Sequence, residues 1–175
     1  QQSKQVAGKN ANSLSPSQSQ VDNLLGHYQN GRYDEAEKLA VIVTQKFPKY
    51  QLGWKVLSAL LKQTGRVLES LVPSQKATVL SPQDAEAHNN LGITLQELDR
   101  LEEAEISLRQ AVTLRPDFPI AHNNLGNTLQ ELGRLEEAEA SYTQAIALKP
   151  DSPESHNNLG NTLQELARLE EANAS

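Results

Sequence analysis

Residues 88–105 read HNNLGITLQELDRLEEAE, residues 122–139 read HNNLGNTLQELGRLEEAE, and residues 156–172 read HNNLGNTLQELARLEEA. The first two copies agree at 16 of 18 positions, and successive copies start 34 residues apart. A fixed period of this length predicts stacked helical hairpins, each burying one stripe against its neighbours.

The stripe is visible inside one unit. Ala87, Leu91, Leu95 and Leu98 recur at spacings of four, four and three, and Leu101, Ala104, Leu108 and Ala111 at three, four and three. Both are helical periods. They define a helix A and a helix B with a turn at Asp99-Arg100. Pro82 and Pro116 fall between units, where proline ends one helix without breaking the next. Pro119 and Pro153 suit the first turn of the following helix A, with Asp117 and Ser152 as candidate caps.

Working outward, five units are expected at 17–50, 51–84, 85–118, 119–152 and 153–175, the last truncated. Residues 1–16 are mostly Gln, Ser, Asn and Lys with little to bury, so a disordered polar tail is expected there. In unit one the signals are Leu24, Leu25, Tyr28, the turn Asn30-Gly31-Arg32-Tyr33, Ala36 and Pro48. Unit two keeps Trp54, Leu57, Leu61, Gly65, Ala77 and Pro82. It also puts Pro73 inside helix B, where a proline costs about 3 kcal/mol, so this helix is expected to start near Ser70 to Val72. Gly92, Gly126 and Gly160 on helix A, with Ala104, Ala138 and Ala172 on helix B, mark close approach of the two helices. Glycine in a helix costs about 1 kcal/mol against alanine and needs such a reason.

Composition limits the function. The net charge of −6 comes without a Lys/Arg stripe that could track phosphates, which speaks against nucleic acid. No apolar run approaches the roughly 18 residues of a membrane span. There is no cysteine, hence no disulfide or thiolate chemistry, and the compartment stays open. There is no methionine either, which suggests a processed chain or an excised fragment.

Trp54, Leu57, Gly65, Ala77 and Pro82 in unit two, and Leu125, Gly126, Leu129, Gly133, Ala138, Tyr142, Ala145 and Pro150 in unit four, resemble the tetratricopeptide repeat over residues 17–175. The resemblance implies an all-α, right-handed superhelical solenoid of antiparallel hairpins. Its A helices would line a concave groove, and its function would be to hold peptides or partner proteins there. Asp99 and Ala167 depart from the pattern by replacing the turn glycine, and alanine tolerates a left-handed backbone worse than aspartate.

The helix A face not used for packing carries Asn89, Asn90, Ile93, Gln96 and Glu97, repeated as Asn123, Asn124, Asn127, Gln130 and Glu131, and again as Asn157, Asn158, Asn161, Gln164 and Glu165. A carboxamide has both acceptor and donors, so one asparagine can pair with the C=O and N–H of an extended peptide. Asn90, Asn124 and Asn158, just before Leu-Gly, are similar to the asparagine ladder in the repeat array of O-linked N-acetylglucosamine transferases, which grips substrate peptide. The competing expectation is a solvated face copied by duplication.

Other chemistry is poorly supported. The family's carboxylate clamp uses Lys and Arg on successive A helices. Here Asn89, Asn123 and Asn157 stand there, with only Lys55 and Lys62 giving positive character. His88, His122 and His156 lie on separate hairpins about 10 Å apart, too far to share a metal that needs nitrogens at about 2 Å; packing between hairpins is expected instead. The Glu pairs 102/103, 136/137 and 170/171 sit at the start of helix B, where they favour the positive end of its dipole. No catalytic constellation and no cofactor site emerges. The leading expectation is a non-enzymatic scaffold for a peptide or partner protein. The alternatives are a targeting array of a larger glycosyltransferase or sulfotransferase, and end-to-end self-association through the truncated last unit.

Overall fold

The computed structural model describes residues 15–173, so most of the expected polar tail lies outside the described residues. The described chain is all-α. Its helices are α1 (Gln18–Gln29), α2 (Tyr33–Lys46), α3 (Gln51–Gln63), α4 (Val67–Leu80), α5 (Ala85–Glu97), α6 (Leu101–Leu114), α7 (Pro119–Glu131), α8 (Leu135–Leu148) and α9 (Pro153–Asn173).

Consecutive helices pack as antiparallel hairpins joined by short turns. Each odd-numbered helix also brings its backbone close to the next odd-numbered one, whereas among the described residues no two of α2, α4, α6 and α8 do so, and long side chains such as Arg109, which reaches Glu137 at 2.7 Å, span the wider gap. One row of helices is therefore crowded and the other splayed. The solenoid curves, with α1, α3, α5, α7 and α9 on its inner face.

The core is a chain of small clusters. Ala104, Ala111, Ala138 and Ala145 are fully buried, as are Leu108 and Tyr142. A Cβ built on Gly126 would lie 2.5 Å from Tyr142 Cε1, and one on Gly92 2.5 Å from Leu108 Cγ. These glycines exist because a helix B side chain occupies the space a Cβ would need. Gly160 has nothing within 4 Å, so the close contact expected there does not form.

The turns share one device. Gly31, Gly65 and Gly133 have φ between 70° and 75°, and Asp99 takes the same left-handed place at φ 57°. The next residue's N–H then reaches back, as in Arg134 N to Leu129 O at 2.9 Å and Arg100 N to Leu95 O at 2.9 Å, closing the carbonyls of the ending helix. At Ala167 the device fails. Residues 153–173 run on as one helix, and the expected turn into a short helix B is corrected to a continuous α9. A left-handed alanine costs about 1–2 kcal/mol, and the few residues beyond it offer little packing to offset that.

Two further expectations are corrected. Helix α4 starts at Val67, not near Ser70 to Val72, and Pro73 lies buried inside it. The turn at Gly65 sets the helix start in the common hairpin register. Around the proline, Ser58 Oγ meets Ser74 Oγ at 2.5 Å, and Ser74 Oγ meets Thr94 Oγ1 at 3.2 Å, a buried hydroxyl chain tying α3, α4 and α5 together. Tertiary anchoring on both sides overrides the local cost. At α7 the cap position is Phe118, with no side-chain bond, because Pro119 already occupies the first helical position and Asp117 falls one residue too early. Ser152 does cap α9, accepting from Ser155 N at 3.4 Å.

Candidate functional site

The inner face is built from the first residues of each repeated motif. His88 and His122 stand half-buried and His156 exposed at the junction between hairpins, where Nε2 lies 3.0, 2.9 and 2.9 Å from the carbonyls of Pro82, Pro116 and Pro150. A carbonyl only accepts, so Nε2 carries the proton. Trp54 makes the same bond in unit two, its Nε1–H donating to Pro48 O at 2.9 Å. Histidine is thus a junction staple, interchangeable with another ring N–H donor at that register.

The two asparagines that follow separate sharply. Asn89 and Asn123 are each 5% exposed, while Asn90, Asn124 and Asn158 are half-buried and Asn157 is exposed. Asn124 Nδ2 donates to Asn89 Oδ1 at 2.9 Å. Asn158 Nδ2 donates to Asn127 Oδ1 at 2.9 Å and more weakly to Asn123 Oδ1 at 3.4 Å. Asn123 Nδ2 reaches Glu154 Oε1 at 2.9 Å, and Ser155 Oγ donates to Asn123 Oδ1 at 3.0 Å. Neighbouring residues on a helix diverge by about 100°. The first asparagine therefore turns into the seam between hairpins, and the second remains at the groove.

Asn90 has no side-chain partner among the described residues; only its backbone carbonyl is engaged, by Thr94 Oγ1 at 2.9 Å and Lys62 Nζ at 3.4 Å. Asn124 uses one N–H internally and keeps an N–H and a carbonyl. Asn158 keeps its carbonyl. Gln96, Asn127 and Gln130 are half-buried along the same face, and Asn161 and Gln164 are exposed at its end.

Tyr142, on α8, joins core and groove. Its hydroxyl lies 2.8 Å from Asn127 Oδ1 and 3.0 Å from Gln130 Oε1. Burial, reinforced by Glu131 and Glu154, holds its pKa well above the usual phenol value. This link was not read from the sequence, although tyrosine where α6 has Leu108 was the available signal.

The expected positive character near unit two is largely neutralised. Lys55 Nζ pairs with Asp84 at 2.9 Å and Glu86 at 3.1 Å, and Arg115 also reaches Glu86 at 3.2 Å. Burial lowers the Lys62 pKa, opposed in part by Glu97. Other arginines stitch hairpins on the far side. Arg134 bridges Glu105 and Glu137 at 2.6 Å each, and Arg66 bridges Glu37 and Glu69 at 2.7 and 2.6 Å. No helix among the described residues is long and apolar enough to cross a membrane.

No curated protein matches the sequence. Among solved structures, MamA is similar with a TM-score of 0.79 at 21% identity, over 88% of this chain and 84% of that one. YrrB, described as a TPR protein with an unusual peptide-binding site, gives 0.73 at 20% identity, over 79% and 72%. The first TPR of Spaghetti (RPAP3), bound to the HSP90 peptide SRMEEVD, gives 0.65 at 25% identity, over 67% and 93%. The TPR repeat profile matches residues 97–133 and 126–166, and the tetratricopeptide repeat profile residues 75–106, together more than half of the sequence. With hairpins, turns and close-approach glycines in the matching register, the chain belongs to the tetratricopeptide repeat family.

Proposed function

We propose that the chain is a non-catalytic protein-interaction scaffold that holds an extended segment of a partner protein along α5, α7 and α9, with Asn90, Asn124 and Asn158 as the rungs. The observation that carries this reading is the division of labour between paired asparagines. Asn89 and Asn123 sit in the seam; Asn89 orients the amide of Asn124, and Asn127 with a weaker contribution from Asn123 orients that of Asn158 at the groove. Amides held in place beforehand lose less freedom on binding. Peptide binding by structural relatives, the RPAP3 repeat with its HSP90 peptide and YrrB, supports a peptide-holding role for the fold.

The test is selection of extended peptides from a displayed random library, followed by titration of the best binder against Asn90→Ala/Asn124→Ala/Asn158→Ala. Each bond is worth about 0.5–1.5 kcal/mol net, so a loss of at least about tenfold in affinity is expected, with helical circular dichroism retained. Unchanged affinity would exclude the ladder.

Self-association through α9 is a second reading, favoured by its uncovered face. Leu163 and Leu169 are 44% and 51% exposed, beside the open Gly160. Light scattering at rising concentration checks this: a growing mass that Leu163→Glu reverses is expected, and a constant monomer mass would exclude it.

A further inference from the structure

The outward side of one helix departs from its repeats. On α4, Leu68 and Val79 are each 73% exposed and Val72 is 57% exposed, and with Gln75 they recur at spacings of four, three and four. On a helix these four side chains fall within an arc of about 60°, so α4 turns a narrow apolar stripe outward. That spacing is the seam of paired helices. Leu68 stands in the register of Asp34, Glu102 and Glu136, and Val79 in that of Gln45, Thr113 and Ala147. Only Val72 has a large apolar counterpart, the exposed Ile106 on α6, whereas Lys38 holds the place on α2 and Ala140 on α8.

The stripe has the relief to receive another helix. Val72, Gln75, Lys76 and Val79, with Thr78, line a shallow hollow of about 400 Å³. The first four stand at i, i+3, i+4 and i+7, the set that accepts one knob from a facing helix. The charges beside the stripe select the orientation. Glu69 and Lys76 are exposed on the same flank, about 80–100° round from Leu68. In an antiparallel pair of identical helices like flanks meet, and in a parallel pair unlike flanks meet. Glu69 is held by Arg66 at 2.6 Å, but Lys76 has no ion pair among the described residues.

We infer that the outer face of α4 is a self-association surface, on which a second copy of this chain packs its own α4 antiparallel about a two-fold axis near Val72. Leu68 of each copy seats in the hollow of the other, and Glu69 of each lies within about 3 Å, along the helix axis, of the partner's Lys76. Ile106 extends the contact onto α6, while Lys38 opposes its extension onto α2. One helix pair is a small contact beside the about 800 Å² per partner of a standard interface, so the association is weak. It leaves the inner groove open and does not rest on the asparagine ladder or on α9.

The experiment is sedimentation of the whole chain over about 10 μM to 1 mM, the range in which a weak dimer forms. A reversible monomer–dimer equilibrium is expected. Val72→Glu, at an exposed position, should weaken it at least about tenfold, with helical circular dichroism retained. Glu69→Lys and Lys76→Glu each set like charges across the pair, so either variant alone should associate less than the parent. An equimolar mixture of the two should regain the parent's association, because each copy then meets its opposite charge at both contacts. A mixture no more associated than either variant alone would overturn the antiparallel α4 pair. A dimer that Val72→Glu leaves intact and Leu163→Glu abolishes would overturn it in favour of α9. A constant monomer mass over the whole range would overturn self-association through either face.

Discussion

The Tyr142 hydroxyl lies 2.8 Å from Asn127 Oδ1, although the tyrosine ring is fully buried against Gly126. The residue that fills the fourth hairpin therefore also holds a groove amide in place. Tyr142→Phe keeps the ring and removes this bond. A loss of about 1 kcal/mol in urea unfolding is expected, together with chemical-shift changes at the side-chain amides of Asn127 and Gln130. Unchanged amide signals would show that the hydroxyl does not orient them.

The repeated glycines have different reasons for existing. At Gly126 a methyl would meet three Tyr142 ring atoms within 3 Å, and Gly126→Ala should cost about 1–3 kcal/mol through displaced packing. At Gly160 there is no neighbour to displace. Gly160→Ala should raise stability by up to about 1 kcal/mol from helix propensity. Equal effects of the two changes in denaturant titrations would contradict the packing account.

The left-handed turn makes its own prediction. Asp99→Gly removes the strain at φ 57° and should leave stability level or slightly higher, while Gly133→Ala forces alanine to φ 71° and should cost about 1–2 kcal/mol. Ala167→Gly should weaken the middle of α9 by about 1 kcal/mol of helix propensity. Backbone chemical shifts across residues 165–169 report this directly. A break in the helix already present in the unaltered chain would contradict the continuous α9.

Stability should fall in acid through Asp84. Burial opposes its ionisation, but bonds from Lys55, Gln51 and the Ala87 N–H outweigh this and hold its pKa down to about 2. An aspartate in the unfolded chain titrates near about 3.9. The folded value is the lower, so ionised Asp84 stabilises the fold above that pH, and the contribution drains away as the pH falls toward 2. Asp84→Asn can still cap α5 but loses the Lys55 ion pair. Its melting temperature should lie below that of the parent at pH 6 and approach it at pH 2. A gap that stays constant with pH would remove Asp84 from the account.

In the first four units the hairpins and the left-handed turns could be read directly, as could the close approach at Gly92 and Gly126, because period and spacing carry them. What could not be read depended on partners distant in sequence. Asn89 and Asn90 are identical letters, and only the packing of α5 on α7 decides that one enters the seam and the other faces the groove. Trp54 and His88 differ in type, yet both bind a proline carbonyl six residues upstream, a likeness visible only once the junction is folded. Pro73 misled because its local cost was legible and the compensating hydroxyl chain through Ser58, Ser74 and Thr94 was not.

Asn90 provides the most direct test of the ladder, since its side chain has no partner among the described residues and its removal breaks no internal bond. Isothermal titration of a library-selected peptide against Asn90→Ala should show affinity reduced by about two- to tenfold, with the melting temperature unchanged. Equal affinity for both proteins, at equal stability, would contradict the assignment of the second asparagine as the residue that faces the ligand.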